Sequence, residues 1–167
     1  MACSAQMSTE SIIDAHHHIW RLANTPWLRG PSVPRIFGEY DPLRRDYAAE
    51  EFVPTVRACG VTQSVYVQVN VAPGAEIEEV QWVQSVADIH GFPHGIIGYA
   101  DLSSPTLDST LTQQSTCTNF RGIRQQLHWH ENPVYRFAPR PDLMNTASWR
   151  RGLAQLGERG QSTRGPH

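Results

Sequence analysis

Apolar and polar positions follow two different periods along the chain, and together they predict alternating strands and helices. Four segments have the period-two or continuous apolar pattern of β-strands: 11–18, 62–70, 94–102 and 120–128. Four others have apolar residues near helical spacing: 47–59, 75–90, 106–116 and 147–158. Gly60 and Gly91 follow two of these helices as stop signals. Strand and helix alternate four times, which predicts a parallel sheet built from βαβ units.

The predicted strands are not apolar on both faces. Two of them put polar side chains on one face: Tyr66 and Gln68 in the second strand, and Arg124, Gln126 and His128 in the fourth. Helices cover both faces of an ordinary doubly wound sheet, so its strands are apolar throughout. One polar, titratable face instead favours a barrel with a site at the carboxyl ends of its strands. The first strand also lacks the glycine-rich loop of a nucleotide-binding fold.

The first strand ends in a cluster of titratable side chains. Asp14, His16 and His18 alternate after two isoleucines, so they are predicted to share one face of the strand, with His17 on the other. His16 and His18 would then be close enough to bind one metal ion. Neutral imidazole is the commonest metal ligand and suits zinc. The alternative interpretation is a solvated histidine cluster at the end of a strand.

Several other polar and aromatic residues are candidates to contact a ligand. Gln68 and Asn70 end the second strand, and His128 ends the fourth; each could instead be a solvated loop position. The irregular segment 19–45 is rich in proline and aromatic residues, which predicts a loop that covers a site or packs on its own side chains. Its Trp20 and Trp27 are expected to be core or loop anchors rather than ligand platforms.

Composition narrows the functional classes. The 167 residues have a net charge of −2 and contain neither a basic run for nucleic acid nor an apolar run of membrane-spanning length. All 14 basic residues are arginine, so a Schiff base and a carboxylated-lysine metal bridge are both excluded. Cys3, Cys59 and Cys117 form no CxxC motif, which predicts reduced thiols and a cytoplasmic protein.

The pattern divides the chain into one domain and two ends. Residues 1–10 carry no signal-peptide pattern and are predicted to be a disordered leader. The domain covers 11–158. Residues 159–167 contain no apolar side chain, so we expect a disordered tail and no fifth strand.

Four short motifs carry a resemblance to a known family. They are Ile-Asp-Ala-His-His-His-Ile-Trp at 13–20, Val-Tyr-Val-Gln at 65–68, Gly-Tyr-Ala-Asp at 98–101 and Arg-Gly-Ile-Arg-Gln at 121–125. Over about residues 11–156 the chain resembles the amidohydrolase-related (amidohydrolase 2) family. The resemblance is to its lactonase-like branch, which includes L-fuconolactonase and 2-pyrone-4,6-dicarboxylate lactonase relatives. It implies a (β/α)8 TIM barrel, which needs roughly 250 residues. With about four strand–helix units, we expect a partial barrel, the N-terminal half of a C-terminally truncated domain.

The same resemblance assigns roles to individual residues. It implies that His16 and His18 lie at the catalytic or metal site and that Arg124 grips an anionic substrate group. From their own positions at the ends of predicted strands, Gln68 and His128 are expected to add substrate contacts. The implied cofactor is a divalent metal, with zinc expected, although some lactonases of this family work without one. The implied reaction is hydrolysis of a lactone or similar ester in a small carboxylate-bearing molecule.

Two alternatives to a lactonase stay open. One is a non-catalytic remnant that binds a metal or a partner, and the other is a metal-dependent decarboxylase of the same superfamily. A partial barrel also leaves two open sheet edges. Because open edges pair with other chains, we expect self-association through them.

Overall fold

Five parallel strands form a single sheet whose order follows the chain. The structure is a computed structural model that describes residues 11–34 and 38–164. The strands lie side by side in the order β1 (Ile12–His17), β2 (Val61–Val67), β3 (Gly95–Gly98), β4 (Phe120–Arg124) and β5 (Ser162–Arg164). Every neighbouring pair is parallel. The predicted α/β fold with parallel strands is therefore confirmed.

Helices connect the successive strands, as parallel pairing requires. They are α1 (Pro26–Arg29), α2 (Ala49–Ala58), α3 (Glu76–His90), α4 (Leu107–Gln114) and α5 (Ala147–Glu158). The four longer helices lie within two residues of their predicted bounds. The predicted end of α3 agrees because Gly91 terminates the helix. It has φ 76°, a left-handed conformation that glycine adopts without strain.

The helix-facing side of the sheet forms the core. Its fully buried side chains include Tyr66 and Ile96 from the strands and Val80, Leu111 and Leu156 from the helices. His17 belongs to this side, because its ring stacks on Phe52 of α2 at 3.9 Å between centroids and is 7% exposed. The predicted separation of His17 from its two neighbours is therefore confirmed.

The fifth strand corrects the expectation from the sequence. Residues 162–164 pair with β4 through the register Gly122↔Ser162, Ile123↔Thr163 and Arg124↔Arg164. The expectation failed because strand pairing uses backbone N–H and C=O groups and does not require apolar side chains. Residues 1–10, predicted to be a leader, and 165–167 lie outside the described residues.

The predicted strands are longer than the observed ones, and this changes one assignment of faces. The second strand was predicted to place Tyr66 and Gln68 on the same face. The ladder of β2 ends at Val67, so strict alternation stops there. Tyr66 is buried against α3, whereas Gln68 lines a cavity on the other side of the sheet.

The structure describes two of the three cysteines, the lengths of the helices and most of the segment 19–45. Cys59 is exposed and Cys117 is buried, both as free thiols, while Cys3 lies outside the described residues. None of the helices in the described ranges is long and apolar enough to cross a membrane. The segment 19–45 is tied to the fold by an antiparallel bridge between Trp20 and Tyr47.

Candidate active-site cavity

A cavity of about 620 Å³ lies where β1, β2 and β4 end. The loops that follow these strands supply its walls. Its polar lining residues are His18, Gln68, Asn70, Arg124, Gln126 and Arg136. Its apolar lining residues are Trp20, Pro26, Trp27, Leu43, Val69, Val71, Pro73 and Phe137. The cavity therefore has a polar part with two guanidinium groups and an apolar wall. No carboxylate lines it within the described residues.

His16 and His18 project together, as the sequence predicts. Their Nε2 atoms are 3.2 Å apart. The Nδ1 of His18 lies 2.7 Å from the carbonyl oxygen of Val67. A carbonyl only accepts hydrogen bonds, so Nδ1 carries the proton and Nε2 keeps its lone pair. Burial is the main cause that lowers the pKa of His18 to about 4, so the ring is neutral near pH 7.

This pair fits two ligand positions of a zinc ion. Zinc binds imidazole nitrogens at about 2.0–2.1 Å, so two ligands at tetrahedral angles lie about 3.3 Å apart. The observed 3.2 Å between the Nε2 atoms agrees with that spacing. The Oδ1 of Asp14 accepts a hydrogen bond from the backbone N–H of His16. Among the described residues, no group of three or more His, Cys, Asp or Glu is arranged to hold a metal.

Arg124 lies at the end of β4 and lines the cavity beside His18. Within the described ranges its guanidinium has no hydrogen bond or ion pair to another side chain or carbonyl. Burial lowers its pKa, and its charge contributes to lowering the pKa of His18. A half-buried cation without an anionic partner is costly, so an anionic ligand would stabilise it.

Two amide side chains add polar groups to the same part of the cavity. Gln68 is 1% exposed, and its Oε1 accepts a hydrogen bond from the backbone N–H of Asn70 at 2.6 Å. The Oε1 of Gln126 is buried and has no hydrogen-bond partner among the described residues. Buried polar atoms are normally satisfied, so this oxygen is available to a donor group on a ligand.

Trp20 and Trp27 both anchor the loop after β1 and form part of the cavity wall. The indole N–H of Trp20 donates to the carbonyl of Arg45, and that of Trp27 donates to the carbonyl of Val69 at 2.8 Å. These bonds hold the loop after β1, as expected of anchors. The rings also line the cavity, so the same two side chains would border a molecule bound there.

His128 does not join the cavity. Its exposed side chain lies over His130 with ring centroids 6.5 Å apart, and its carbonyl accepts hydrogen bonds from Phe137 and Ala138. The ladder of β4 ends at Arg124, so the alternation that predicted His128 stops four residues earlier. The sequence analysis placed Gln126 on the same face as Arg124 without naming it as a ligand contact. It missed the contributions of Arg136 and Phe137, which belong to a loop without periodicity.

Comparison with known proteins places the fold among hydrolases. No family model matches the chain. A curated relative, uncharacterized protein y4mH of Sinorhizobium fredii, is 37% identical over 158 residues, which are 93% of this chain and 53% of the relative. An amidohydrolase from Burkholderia multivorans, crystallised with bound zinc, matches with a TM-score of 0.67 and 25% identity. That match covers 92% of this chain and 48% of the amidohydrolase.

A third protein shares the fold at low sequence identity. It is a probable 2-pyrone-4,6-dicarboxylic acid hydrolase from Acinetobacter baumannii with citric acid bound, with a TM-score of 0.60 and 14% identity. The match covers 93% of this chain and 49% of the hydrolase. The chain thus spans about half the length of the proteins it matches. Its fold is a partial barrel of amidohydrolase type. The match to the amidohydrolase from Burkholderia multivorans supports a relation to the amidohydrolase superfamily.

Proposed function

We propose that the chain belongs to the amidohydrolase-related family and forms the metal-binding and anion-binding part of a hydrolase that opens lactones. His16 and His18 would bind a divalent ion, with zinc expected. Arg124, Gln68 and Gln126 would bind a small substrate that carries a carboxylate. The observation that carries this proposal is the pair of Nε2 atoms, 3.2 Å apart, beside an arginine without an anionic partner.

The chemistry of the cavity supports this assignment. A divalent ion bound there would polarise an ester carbonyl and increase the acidity of a water molecule. The Val67 carbonyl fixes the tautomer of His18, so that Nε2 faces the site as a lone-pair donor. Arg124 can grip a carboxylate through two parallel hydrogen bonds, and the free Oε1 of Gln126 can accept from a hydroxyl group. Trp20 and Trp27 supply an apolar wall beside these polar groups.

The comparisons support a carboxylate-bearing substrate. The hydrolase from Acinetobacter baumannii holds citric acid, and its name refers to a dicarboxylic acid. The amidohydrolase from Burkholderia multivorans holds zinc. The part of the chain that the structure describes contributes two guanidinium groups and no carboxylate to the lining, which favours an anionic ligand.

Zinc binding tests the histidine pair directly. We expect the wild-type chain to bind one zinc ion in calorimetry. His16→Ala and His18→Ala should each weaken binding by about tenfold or more, since loss of even a group that orients a ligand costs roughly 10–100-fold. His128→Ala removes a histidine from the other His-x-His sequence and should leave the affinity unchanged. Equal affinities in all four proteins would overturn the assignment.

Anion binding tests Arg124. We expect Arg124→Gln to weaken citrate binding about tenfold or more, because a hydrogen bond to a charged group contributes roughly 1.5–3 kcal/mol. Arg121→Gln is the matched control, since Arg121 lies three residues earlier on the same strand and donates to the Thr118 carbonyl. Fluorescence titration of the tryptophans with citrate measures both affinities. A loss of equal size in both variants would argue against a specific role for Arg124.

Turnover distinguishes the lactonase from the two alternatives. The purified chain is incubated with a panel of lactones and added zinc or manganese, and both ring opening and release of carbon dioxide are measured. Ring opening that is lost in the His16→Ala and His18→Ala variants supports the lactonase. Release of carbon dioxide supports a decarboxylase. Zinc binding without turnover supports a non-catalytic binding protein.

The open edge of β1 supports the proposal that the chain self-associates. Ile12 and Ile13 on this strand are 49% and 53% exposed. Among the described strands, β1 pairs only with β2, so its other edge keeps backbone groups available for pairing. We expect Ile13→Lys to shift the chain toward monomer in light scattering, whereas Ile89→Lys, at an exposed isoleucine on α3, should not. An unchanged mass for Ile13→Lys would contradict this prediction.

A further inference from the structure

In the turn after β2, both backbone polar groups of Val69 form hydrogen bonds to side chains from other parts of the chain. The backbone N–H of Val69 donates to the Oε1 of Glu79 at 2.9 Å. Its carbonyl accepts from the indole N–H of Trp27 at 2.8 Å. Since these two groups flank the φ and ψ angles of Val69, the two bonds together fix its backbone. Val69 thus connects a carboxyl group on α3 to a ring in the cavity wall.

Glu79 lies at the helix-facing end of this connection. It is 5% exposed, and the hydroxyl group of Tyr66 donates to the same Oε1 at 2.8 Å. Its Oε2 is buried and has no hydrogen-bond partner among the described residues. A single oxygen therefore holds both the strand and the turn. The titratable and charged groups around it come from four elements: Glu76 and Glu78 on α3, Tyr66 on β2, Tyr99 and Asp101 after β3, and Arg21 after β1.

The backbone conformation of Asn70, the next residue, makes the turn sensitive to the hydrogen bonds of Val69. Asn70 has φ 58°, a left-handed conformation that few residues other than glycine adopt, and it contributes its side chain to the cavity. Its N–H is bonded to Gln68, which also lines the cavity. A small change at Val69 is therefore passed on to Gln68, Asn70 and Trp27 together.

We propose that Glu79 is a positioning residue that acts through Val69, and that its protonation state adjusts the place of Trp27 in the cavity wall. A carboxylate accepts a hydrogen bond more strongly than a protonated carboxyl group. Loss of the proton therefore tightens the bond from the Val69 N–H and shifts the carbonyl to which Trp27 is bonded. Any effect of this shift of Trp27 on substrate binding rests on the proposed function. The shift itself is independent of that function.

The pH range of this effect follows from the surroundings of Glu79. Burial is the largest cause that raises its pKa to about 7, whereas the bonds from Val69 and Tyr66 lower it. The change in protonation therefore falls near neutral pH.

The indole N–H resonance of Trp27 reports on this connection without any ligand. It is assigned in a proton–nitrogen NMR spectrum by its absence from Trp27→Phe and followed from about pH 5.5 to 8.5. We expect it to move with one midpoint near pH 7 in the wild type. In Glu79→Gln, which keeps the Oε1 acceptor but cannot ionise, the resonance should stay near one position at every pH. Glu78→Gln, at an exposed position one residue earlier on α3, should leave the titration unchanged.

A second variant keeps the test independent of whether Glu79→Gln folds. Tyr66→Phe removes a donor that favours ionised Glu79, so the midpoint should move to higher pH. A wild-type resonance that does not titrate overturns the proposal, as does an unchanged titration in Glu79→Gln or an unchanged midpoint in Tyr66→Phe. Citrate affinity is measured on the same samples. Titration of Trp27 without citrate binding would reject the anion site and leave the positioning role of Glu79 standing.

Discussion

Replacement of Gly152 by alanine is expected to destabilise the chain by about 3 kcal/mol or more, because overpacking a close backbone contact forces whole elements apart. A Cβ atom at this position would lie 2.1 Å from the carbonyl oxygen and 2.9 Å from the carbonyl carbon of Leu102. These are backbone atoms, which cannot rotate away as a flexible side chain does. The glycine allows α5 to pack directly on the segment that follows β3.

Gly157 provides the matched control on the same helix. A Cβ atom there would have no neighbour within 4 Å. Gly157→Ala should therefore stabilise the chain by about 0.5–1 kcal/mol through the higher helix propensity of alanine. Urea denaturation followed by circular dichroism measures both variants. Similar midpoints for the two would show that α5 does not make the close contact seen in the structure.

The stability of the chain should depend on pH through Glu79, by about 3 kcal/mol. Its pKa is raised from 4.5 to about 7, mainly by burial. The folded chain therefore holds this proton between about pH 4.5 and 7, whereas the unfolded chain releases it. The contribution of Glu79 to the free energy of unfolding is complete below about pH 4.5 and is lost as the pH rises to 7.

The difference in free energy of unfolding between a Glu79 variant and the wild type isolates this contribution from those of the other titratable groups. We expect the free energy of unfolding of Glu79→Gln, relative to the wild type, to rise by about 3 kcal/mol between pH 4.5 and 7.5. Glu78→Gln, at an exposed position of α3, should show no such trend. Urea denaturation at a series of pH values measures all three. A constant difference between Glu79→Gln and the wild type would contradict the raised pKa.

The helices were predictable because local signals determine them. Apolar spacing and a glycine at the C-terminus of α3 were enough to place its end at His90. The pairing of His16 and His18 was predictable for a similar reason, since neighbouring positions on one strand fix which face a side chain takes. These features depend on residues only a few positions apart.

Features that depend on distant parts of the chain could not be found in this way. β5 forms because β4 offers it a backbone edge, which no pattern within residues 159–167 indicates. Glu79 lies among the apolar residues of a helix, and its role depends on Tyr66 and Val69 in another element. Arg136 reaches the cavity from a long loop without periodicity, and His128 was assigned to the face of a strand that had already ended.

The identical order of strands in the chain and in the sheet has a consequence for synthesis on the ribosome. Each strand pairs with the one made just before it, so no segment must wait for a distant partner. Loop closure between consecutive strands spans only the one or two helices and the loops that connect them, which keeps its entropic cost low. The nascent sheet can therefore grow by one strand at a time from its N-terminal edge, and the ring of His18 gains its hydrogen bond as soon as β2 supplies the carbonyl of Val67.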